Sequence, residues 1–349
     1  MKEKRVYSLD LFKLVLSYII AFFHCDMNFA PGSTMVVPVF FLISGFFLGK
    51  KFYQSTDPGY RGWDYTLDHA KKLYPMYLFS CGMLFLYTLA RSFVSLLSAP
   101  SPDTLGEILR SFYNQIPDIF LVQSSHFFHD SLNYPLWQVS ALLIAGYLIY
   151  SMLCFNERLS RELLFPIAIL MIQSLLISGV DMWANWGPVY IPLARAFSPM
   201  CVGVLCFYFS TTALYRRIRS HRVPFYLAGL YCLASLFRYG DYRNIYLIAA
   251  PIVILNCMEP ESFLNKLFNH SVFRKAGQLS TAVYFNHSLV ARVLWALVFP
   301  RVESAGLPAG KWVQGCVYFV VLTGYSLFTL WLVPKIRFLL RSHRQKARA

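Results

Sequence analysis

Repeated apolar blocks constrain this sequence more than any other feature. The chain of 349 residues carries runs of roughly 16 to 24 mostly apolar residues, separated by short polar segments. A helix needs about 20 such residues to cross the hydrocarbon of a bilayer. Only 14% of the residues are charged, against about a quarter in soluble domains. The sequence therefore predicts an all-α, polytopic integral membrane protein with about ten transmembrane helices in a single bundle.

Hydropathy places the ten spans along the whole chain. Their approximate limits are 9–29, 35–49, 74–97, 135–155, 163–179, 193–211, 223–237, 242–257, 279–299 and 311–333. No internal repeat or second soluble domain interrupts them. We therefore expect one membrane domain over residues 1–349, with a motif-bearing core at 8–333 and a basic tail at 334–349. The first run is too long for a secretory signal, so we expect the N-terminus to be retained.

The basic residues fix the expected orientation. The formal net charge is +15, yet 23 of the 32 Lys and Arg residues lie in the two termini and the even-numbered loops. Only five lie in the odd-numbered loops or at the span ends that border them. Cytoplasmic loops carry this excess in membrane proteins. We therefore expect both termini in the cytoplasm and the protein in the cell (inner, cytoplasmic) membrane. The basicity is a topology signal, and no nucleic-acid partner is expected.

The first span, SLDLFKLVLSYIIAFFHCDMNF, carries ionisable residues inside an apolar run: Asp10, Lys13 and His24. Such residues cost several kcal/mol in hydrocarbon and usually face a bundle interior or an aqueous cavity. His24 follows Lys13 by eleven positions, and this step returns the helix to within roughly 20° of the same face. Asp10 and Ser17 share that face. The spacing predicts a polar stripe about 16 Å long that ends in a histidine able to exchange a proton near neutral pH.

Polar residues in five other places have both structural and functional readings. Ser44, before Gly45, fits a small-residue helix contact, and Trp137 fits an interfacial belt residue. Arg195 is either a snorkelling cation or a binding-site cation. Asn286 and His287 lie in the middle of the ninth span, where one interhelical hydrogen bond would explain them.

The polar loops offer weaker signals. Lys71 and Lys72 end the loop 50–73, where they either anchor a helix end in lipid headgroups or hold phosphates. The long outer segment 98–134 contains TLGEILRSFYNQIPDIFLV, which is typical of an amphipathic helix. His126 and His129 follow it without a supporting ligand cluster, and the eight cysteines form no C-x-x-C pair. We therefore expect no metal site and no disulfide framework.

Five motifs in order resemble the acyltransferase 3 family of membrane O-acyltransferases. SLDLFKLVLSYIIAFFH resembles the family's first helix, in which a basic residue precedes a histidine with ten residues between them. PVFFLISGFFLGKKF, HAKKLYPMYLF, PLWQVSALL and LSTAVYFNHSLV are similar to later family helices, the last with a Ser-x-x-x-Tyr-x-x-His pattern. Two features depart from the family. Lys13 replaces the commoner Arg, and many relatives have a glutamate where this chain has Ala141 or Leu142.

The resemblance implies an enzyme that moves an acetyl or other short acyl group from acyl-CoA to a hydroxyl of a carbohydrate or similar cell-envelope acceptor. His24 would be the general base or, as an alternative, a covalent acyl carrier. Lys13, held by Asp10, would steer phosphates or stabilise negative charge. We assign Lys71, Lys72 and Ser44 to the CoA donor, which is a substrate and not a tightly bound cofactor. We assign Trp137, Arg195, Asn286 and His287 to the acceptor.

Two other classes of protein share some of these features. A transporter or flippase for a glycan or lipid intermediate also uses Lys, Arg and His within the membrane. The sequence shows neither the inverted repeat nor the paired interrupted helices typical of many transporters. A non-catalytic membrane partner would have no need of the Lys13 and His24 stripe. Consumption of labelled acetyl-CoA by the purified protein distinguishes the enzyme from both.

The charge asymmetry predicts which loops an impermeant cysteine reagent reaches from outside the cell. A cysteine at Ser101 in segment 98–134 should react, and a cysteine at Ser220 should react only after the membrane is permeabilised. The native cysteines are replaced to lower the background, and labelling is read by gel shift. External labelling at Ser220 would contradict the assigned orientation.

Overall fold

The structure is a computed structural model of the whole chain. It describes residues 6–25, 27, 30–98, 102–125, 131–180, 185–186, 189–219, 222–237, 246–306 and 310–346. His126, His129 and Asp130 lie outside these ranges.

Helices make up nearly all of the described chain. They are α1 Tyr7–Phe23, α2 Val36–Tyr53, α3 Gly62–Ser98, α4 Pro102–Phe120, α5 Trp137–Phe155, α6 Glu157–Leu159, α7 Phe165–Ile177, α8 Ile191–Thr211, α9 Ala213–Ile218, α10 Arg222–Leu236, α11 Tyr246–Met258, α12 Phe263–Phe268, α13 Ala276–Val293, α14 Phe299–Ser304 and α15 Lys311–Lys346. Short 3₁₀ turns precede α2, α5 and α13, and π-helical turns follow α6 and α13. A two-residue antiparallel pair, β1 Asn185–Trp186 and β2 Val189–Tyr190, precedes α8. The all-helical class predicted from the sequence is confirmed.

Seven helices in the described residues are long and apolar enough to cross a membrane. They are Gly32–Tyr53, Gly62–Ser98, Tyr134–Phe155, Glu157–Ile177, Ile191–Thr211, Ser271–Ser304 and Lys311–Leu339. The other three predicted spans correspond to shorter helices: the 17-residue α1 and the apolar stretches Tyr226–Leu236 and Leu247–Met258. The expectation of about ten spans in one bundle therefore remains a prediction.

Two helices extend well beyond their apolar blocks. α3 begins at Gly62, twelve residues before its predicted span, so the second half of the predicted loop 50–73 is helical. Asp64 accepts a hydrogen bond from the Arg61 backbone amide at this end, and Tyr65 is buried against the bundle. α15 likewise continues to Lys346, through most of the predicted tail. Hydropathy cannot detect a helix that continues into water, because the added turns are polar.

The amphipathic helix predicted in the outer segment is present as α4. Its polar residues Ser111, Gln115 and Asp118 are buried, whereas its apolar residues Leu109 and Phe120 are exposed. A soluble protein would bury the opposite side. This orientation is typical of a helix whose apolar side faces lipid and whose polar side covers the protein.

Two glycines set the contact between α2 and α8. A Cβ atom on Gly45 would lie 2.1 Å from the Met200 carbonyl oxygen, and one on Gly203 would lie 2.2 Å from the Leu42 carbonyl oxygen. The backbones therefore touch, as in small-residue contacts between membrane helices. The small-residue contact expected beside Ser44 is confirmed. Around it lie the buried side chains of two of the largest apolar clusters, including Phe46 and Val204.

An apolar groove of about 490 Å³ follows the opposite side of α1. Its wall is formed by α1, the start of α2, α10, α11 and α12. Phe12, Val39 and Leu233 are typical of its lining. α1 therefore has two different sides, one facing this groove and the other carrying the polar stripe.

The glycine contact predicts a strong dependence on side-chain size. Gly45→Ala should force α2 and α8 apart and cost about 1–3 kcal/mol, which is typical of overpacking. The unfolding midpoint in detergent, followed by size exclusion, measures the loss. Gly82→Ala on α3 is the control, because a Cβ there meets nothing within 4 Å. Equal midpoints for the two variants would contradict the contact.

Candidate active site

The polar stripe of α1 begins with an ion pair. The Lys13 Nζ and Asp10 Oδ1 atoms lie 2.9 Å apart, with the Lys13 side chain 25% exposed and that of Asp10 8% exposed. One turn later Ser17 Oγ donates to the Lys13 carbonyl oxygen. His24 caps the C-terminal end of the helix. At 1.5 Å per residue, His24 lies about 16 Å along the axis from Lys13. The predicted stripe is present, with its cation partly neutralised by Asp10.

A hydrogen bond joins this stripe to α13. The Oγ atoms of Ser17 and Ser280 lie 2.8 Å apart, and both residues are buried. Because Ser17 already donates to Lys13, it accepts here from Ser280. This bond fixes how α13 is placed along α1.

The same placement brings two histidines together one heptad further on. His24 follows Ser17 by seven residues, and His287 follows Ser280 by seven. α1 and α13 run parallel at this contact, so the second pair meets as the first does. The imidazole rings of His24 and His287 are stacked, with centroids 5.1 Å apart and planes at 29°. The sequence placed both residues in the site, and the structure shows that they touch.

His287 has one nitrogen that the described residues leave unpaired. Its Nδ1 donates to the Tyr284 carbonyl oxygen at 2.6 Å, since a carbonyl can only accept. Its Nε2 is fully buried and makes no hydrogen bond within the described part of the chain. The interhelical side-chain bond considered from the sequence is therefore replaced by a bond within α13. A buried polar atom without a partner is unusual and fits a group that a substrate completes.

Tyr318 of α15 closes the same region from a third side. Its hydroxyl lies 3.3 Å from the Ala21 carbonyl oxygen and 3.2 Å from that of His287. Both acceptors are helix backbone atoms beside the histidine pair. Three helices thus hold the two imidazole rings in place.

A cavity of about 150 Å³ lies at the Lys13 end of the stripe. We call it the inner cavity, because the predicted orientation places this end towards the cytoplasm. Its polar lining comes from four helices: Lys13, Ser17, Ser44, Gln138, Ser280 and Thr281. Ser44 Oγ donates to the Phe40 carbonyl oxygen of its own helix. The cavity is smaller than the roughly 300–1,000 Å³ of whole small-molecule sites. It fits a narrow chain better than a nucleotide.

Lys71 and Lys72 are exposed at the start of the membrane part of α3. They directly precede Leu73, which lines the inner cavity. Neither lysine is itself part of the cavity lining.

A cavity of about 360 Å³ lies at the His24 end. We call it the outer cavity, because the predicted orientation places this end away from the cytoplasm. It is lined by His24, Cys25, Met27, Ala291, Arg292, Trp295, Lys311 and Gln314. Its volume falls within the usual range of ligand sites. A short series of contacts connects the two cavities. Tyr284 lines the inner cavity and bonds His287, whose ring stacks on His24 in the outer cavity.

Three residues assigned to the acceptor lie elsewhere. Arg195 sits over the Trp137 ring at 5.3 Å, and both side chains are buried. The Trp137 ring also packs against Phe41. Neither residue lines the inner or the outer cavity. Asn286 donates from Nδ2 to Thr329 Oγ1 on α15 at 2.9 Å. The structure therefore gives Asn286 an interhelical bond and makes Trp137 a buried cation partner instead of a belt residue.

Several cavity residues were given no role in the site from the sequence, although the quoted Ser-x-x-x-Tyr-x-x-His pattern contains Ser280. Gln138, Ser280 and Thr281 line the inner cavity, and Lys311 lines the outer one. Ser280, Tyr284 and His287 follow each other by four and three residues, which places them on one helix face. That spacing was the available signal.

The fold and site define a membrane protein with an ionisable site between two cavities. Comparison with protein families assigns it more closely. The acyltransferase domain of the acyltransferase 3 family matches residues 6–333, which contain every helix described above except the end of α15. The chain belongs to this family of membrane acyltransferases. No curated protein and no solved structure matches the chain.

The Asp10–Lys13 pair predicts a non-additive effect on stability. Lys13→Met alone leaves Asp10 buried without this cation and should cost about 1–3 kcal/mol, below the roughly 3–5 kcal/mol of fully buried pairs. Asp10→Asn should cost less, because Lys13 is the more exposed partner. The double variant should recover part of the loss. Unfolding midpoints of the four proteins give the coupling, and strictly additive losses would contradict a stabilising pair.

Proposed function

We propose that the protein transfers an acetyl or other short acyl group from acyl-CoA to a hydroxyl of a carbohydrate or similar cell-envelope acceptor. The observation that carries this is the contact chain from the inner cavity through Tyr284 and His287 to His24. A reaction whose two substrates arrive from opposite sides of a membrane needs such a connection. The proposed setting is the cytoplasmic membrane, with both termini in the cytoplasm.

The donor is proposed to enter from the Lys71 and Lys72 side. The two exposed lysines suit the phosphates of CoA, and the inner cavity suits its narrow pantetheine arm. Ser44 and Lys13 line the route, the first with a hydroxyl and the second with a charge. The nucleotide itself stays at the membrane surface, since the inner cavity of about 150 Å³ is too small for it.

The acceptor is proposed to occupy the outer cavity, with its hydroxyl at His24. A neutral imidazole takes the hydroxyl proton while the oxygen forms a bond to the thioester carbonyl carbon. The C–S bond then breaks, and the departing CoA thiolate receives the proton from His24. The products are the ester and CoA, and His24 returns to its neutral form. The buried Nε2 of His287 is placed to bind a polar group of the reacting pair.

The covalent alternative uses the same residues in two steps. An imidazole nitrogen of His24 attacks the thioester, CoA leaves, and the acceptor oxygen then takes the acyl group from the ring. The separation of the cavities favours neither route over the other, because the histidine pair bridges them in both.

Family membership argues against the transporter alternative, because the matching domain is that of acyltransferases and a transporter moves its substrate without acyl chemistry. The geometry agrees, because Ser17, Ser280 and Tyr284 lie between the two cavities. A carrier for a glycan would need a larger passage between them.

His24→Ala tests the proposal. Acyl transfer from labelled acetyl-CoA should fall by about 10²–10⁴-fold, as is usual when a general base is lost, with normal membrane abundance. His287→Ala should retain part of the activity, because His287 binds and positions but does not take the proton. His270→Ala is the control, since His270 is exposed outside both cavities.

Two outcomes would reject the assignment. A His24→Ala protein with near-parent activity beside an inactive His287→Ala protein would move the base to His287. Full activity in both variants would remove the histidine pair from the chemistry altogether.

A further inference from the structure

The outer cavity has an unusual charge for its side of the membrane. Arg292 and Lys311 line it together with His24, and none of its lining residues in the described part of the chain is a carboxylate. Cations are scarce on the expected outer side of this protein, where the odd-numbered loops and the span ends that border them contain only five. The presence of two cations around one outer cavity therefore indicates that their charge has a role inside the cavity.

Helix stabilisation does not supply that explanation. Lys311 opens α15, and the first turn of this helix has no acidic residue. A cation at that end opposes the helix dipole, which favours negative charge there. Arg292 lies near the end of α13, but the helical path continues through the π-turn Leu294–Val298 into α14. Its position is therefore not a true helix C-terminus.

Neighbouring charges do not neutralise the pair within the described residues. Arg292 donates from Nη2 to the Leu132 carbonyl oxygen at 3.3 Å, a neutral partner. Arg91 of α3 adds a third cation near it. The carboxylate at the rim is Glu303, which accepts from Gln314 Nε2 at 3.3 Å and forms no ion pair with Arg292 or Lys311.

We propose that the acceptor carries an anionic group, a carboxylate or a phosphate on the carbohydrate, which binds between Arg292 and Lys311 while a hydroxyl faces His24. This inference rests on the proposed acyl transfer. An arginine offers two parallel donors to either anion, and a lysine adds a mobile charge. Trp295 in the same cavity provides a flat surface for a sugar ring. Arg292 and Lys311 are then specificity-determining residues.

Cys25 allows the charge of the cavity to be measured without any enzyme activity. It lines the outer cavity and is partly exposed. In a full-length variant that keeps only this cysteine, the rates of two methanethiosulfonates are compared, one bearing a sulfonate and one a trimethylammonium group. The rate of each reagent with Cys25 is divided by the rate of the same reagent with a free thiol in solution. The ratio sums every charge near Cys25, whether or not it belongs to the described residues, and so takes account of Asp26, the next residue in the sequence.

The anionic reagent should be favoured by about fivefold or more, since two nearby charges attract one reagent and repel the other. Arg292→Gln and Lys311→Gln should each reduce this preference, and Arg292→Lys should keep most of it. Arg301→Gln is the matched control, because Arg301 is an outer cation that does not line the cavity. No preference, or no reaction of Cys25 with either reagent, would overturn the proposal.

Protection of Cys25 then identifies the anion. A glucuronate-containing oligosaccharide and a phosphorylated one should slow labelling by an uncharged maleimide, and their carboxyl-reduced and dephosphorylated forms should not. If only the glucuronate-containing oligosaccharide protects Cys25, the anion is a carboxylate. If only the phosphorylated oligosaccharide protects it, the anion is a phosphate. Equal protection by charged and neutral forms would overturn the proposal.

Acyl transfer to the protecting glycan separates this inference from the proposed function. Arg292→Gln should raise KM for the charged acceptor about tenfold or more with little change in kcat, as expected when uniform binding is lost. An unchanged KM would reject Arg292 as a specificity residue. Charge preference and protection without any acyl transfer would keep the anion site and reject the proposed reaction.

Discussion

The hydrogen bond between Ser17 and Ser280 is a small interaction with a large structural consequence. It joins two parallel helices whose contact residues are 263 positions apart in the chain. A side-chain hydrogen bond in a membrane contributes only about 0.6–2 kcal/mol. Its importance lies in register, because a slip of α13 by one residue would rotate every later side chain by about 100°. The stacking of His24 on His287 depends on that register.

The register also explains how one helix serves two cavities. Lys13 and His24 lie on the same side of α1 about 16 Å apart, and each lines a cavity with a different part of α13. Near Lys13 the neighbours are hydroxyls and an amide, and the cavity is narrow. Near His24 the neighbours are an arginine, a lysine and a tryptophan, and the cavity is wider. The chemical difference between the two ends arises mainly from the partners, since the first span contributes one ionisable side chain, Lys13 or His24, to the lining of each cavity beside the Asp10 that pairs with Lys13.

Sequence reasoning succeeds where a property is local to one helix. The stripe on α1, the amphipathic α4 and the small residues of α2 are all visible in the spacing of neighbouring residues. It fails where two distant segments meet. Nothing near Trp137 indicates that Arg195 lies over its ring, and nothing near Asn286 indicates that Thr329 accepts its hydrogen bond. Helix ends such as those of α3 and α15 are missed for another reason, because a polar helix in water has no hydropathy signal.

The glycine contact between α2 and α8 determines which parts of the protein are free to move. Gly45 and Gly203 have no side chains that could change rotamer, so these helices separate only by losing backbone contact along their length. α1 and α13 also pack through buried apolar side chains such as Ala21 and Val283, but they add a hydroxyl pair and a ring stack, which can break and re-form by side-chain rotation. α2 and α8 therefore act as a fixed frame. If the helices around the two cavities rearrange, the polar contacts between α1 and α13 are therefore the ones that can change by side-chain rotation alone.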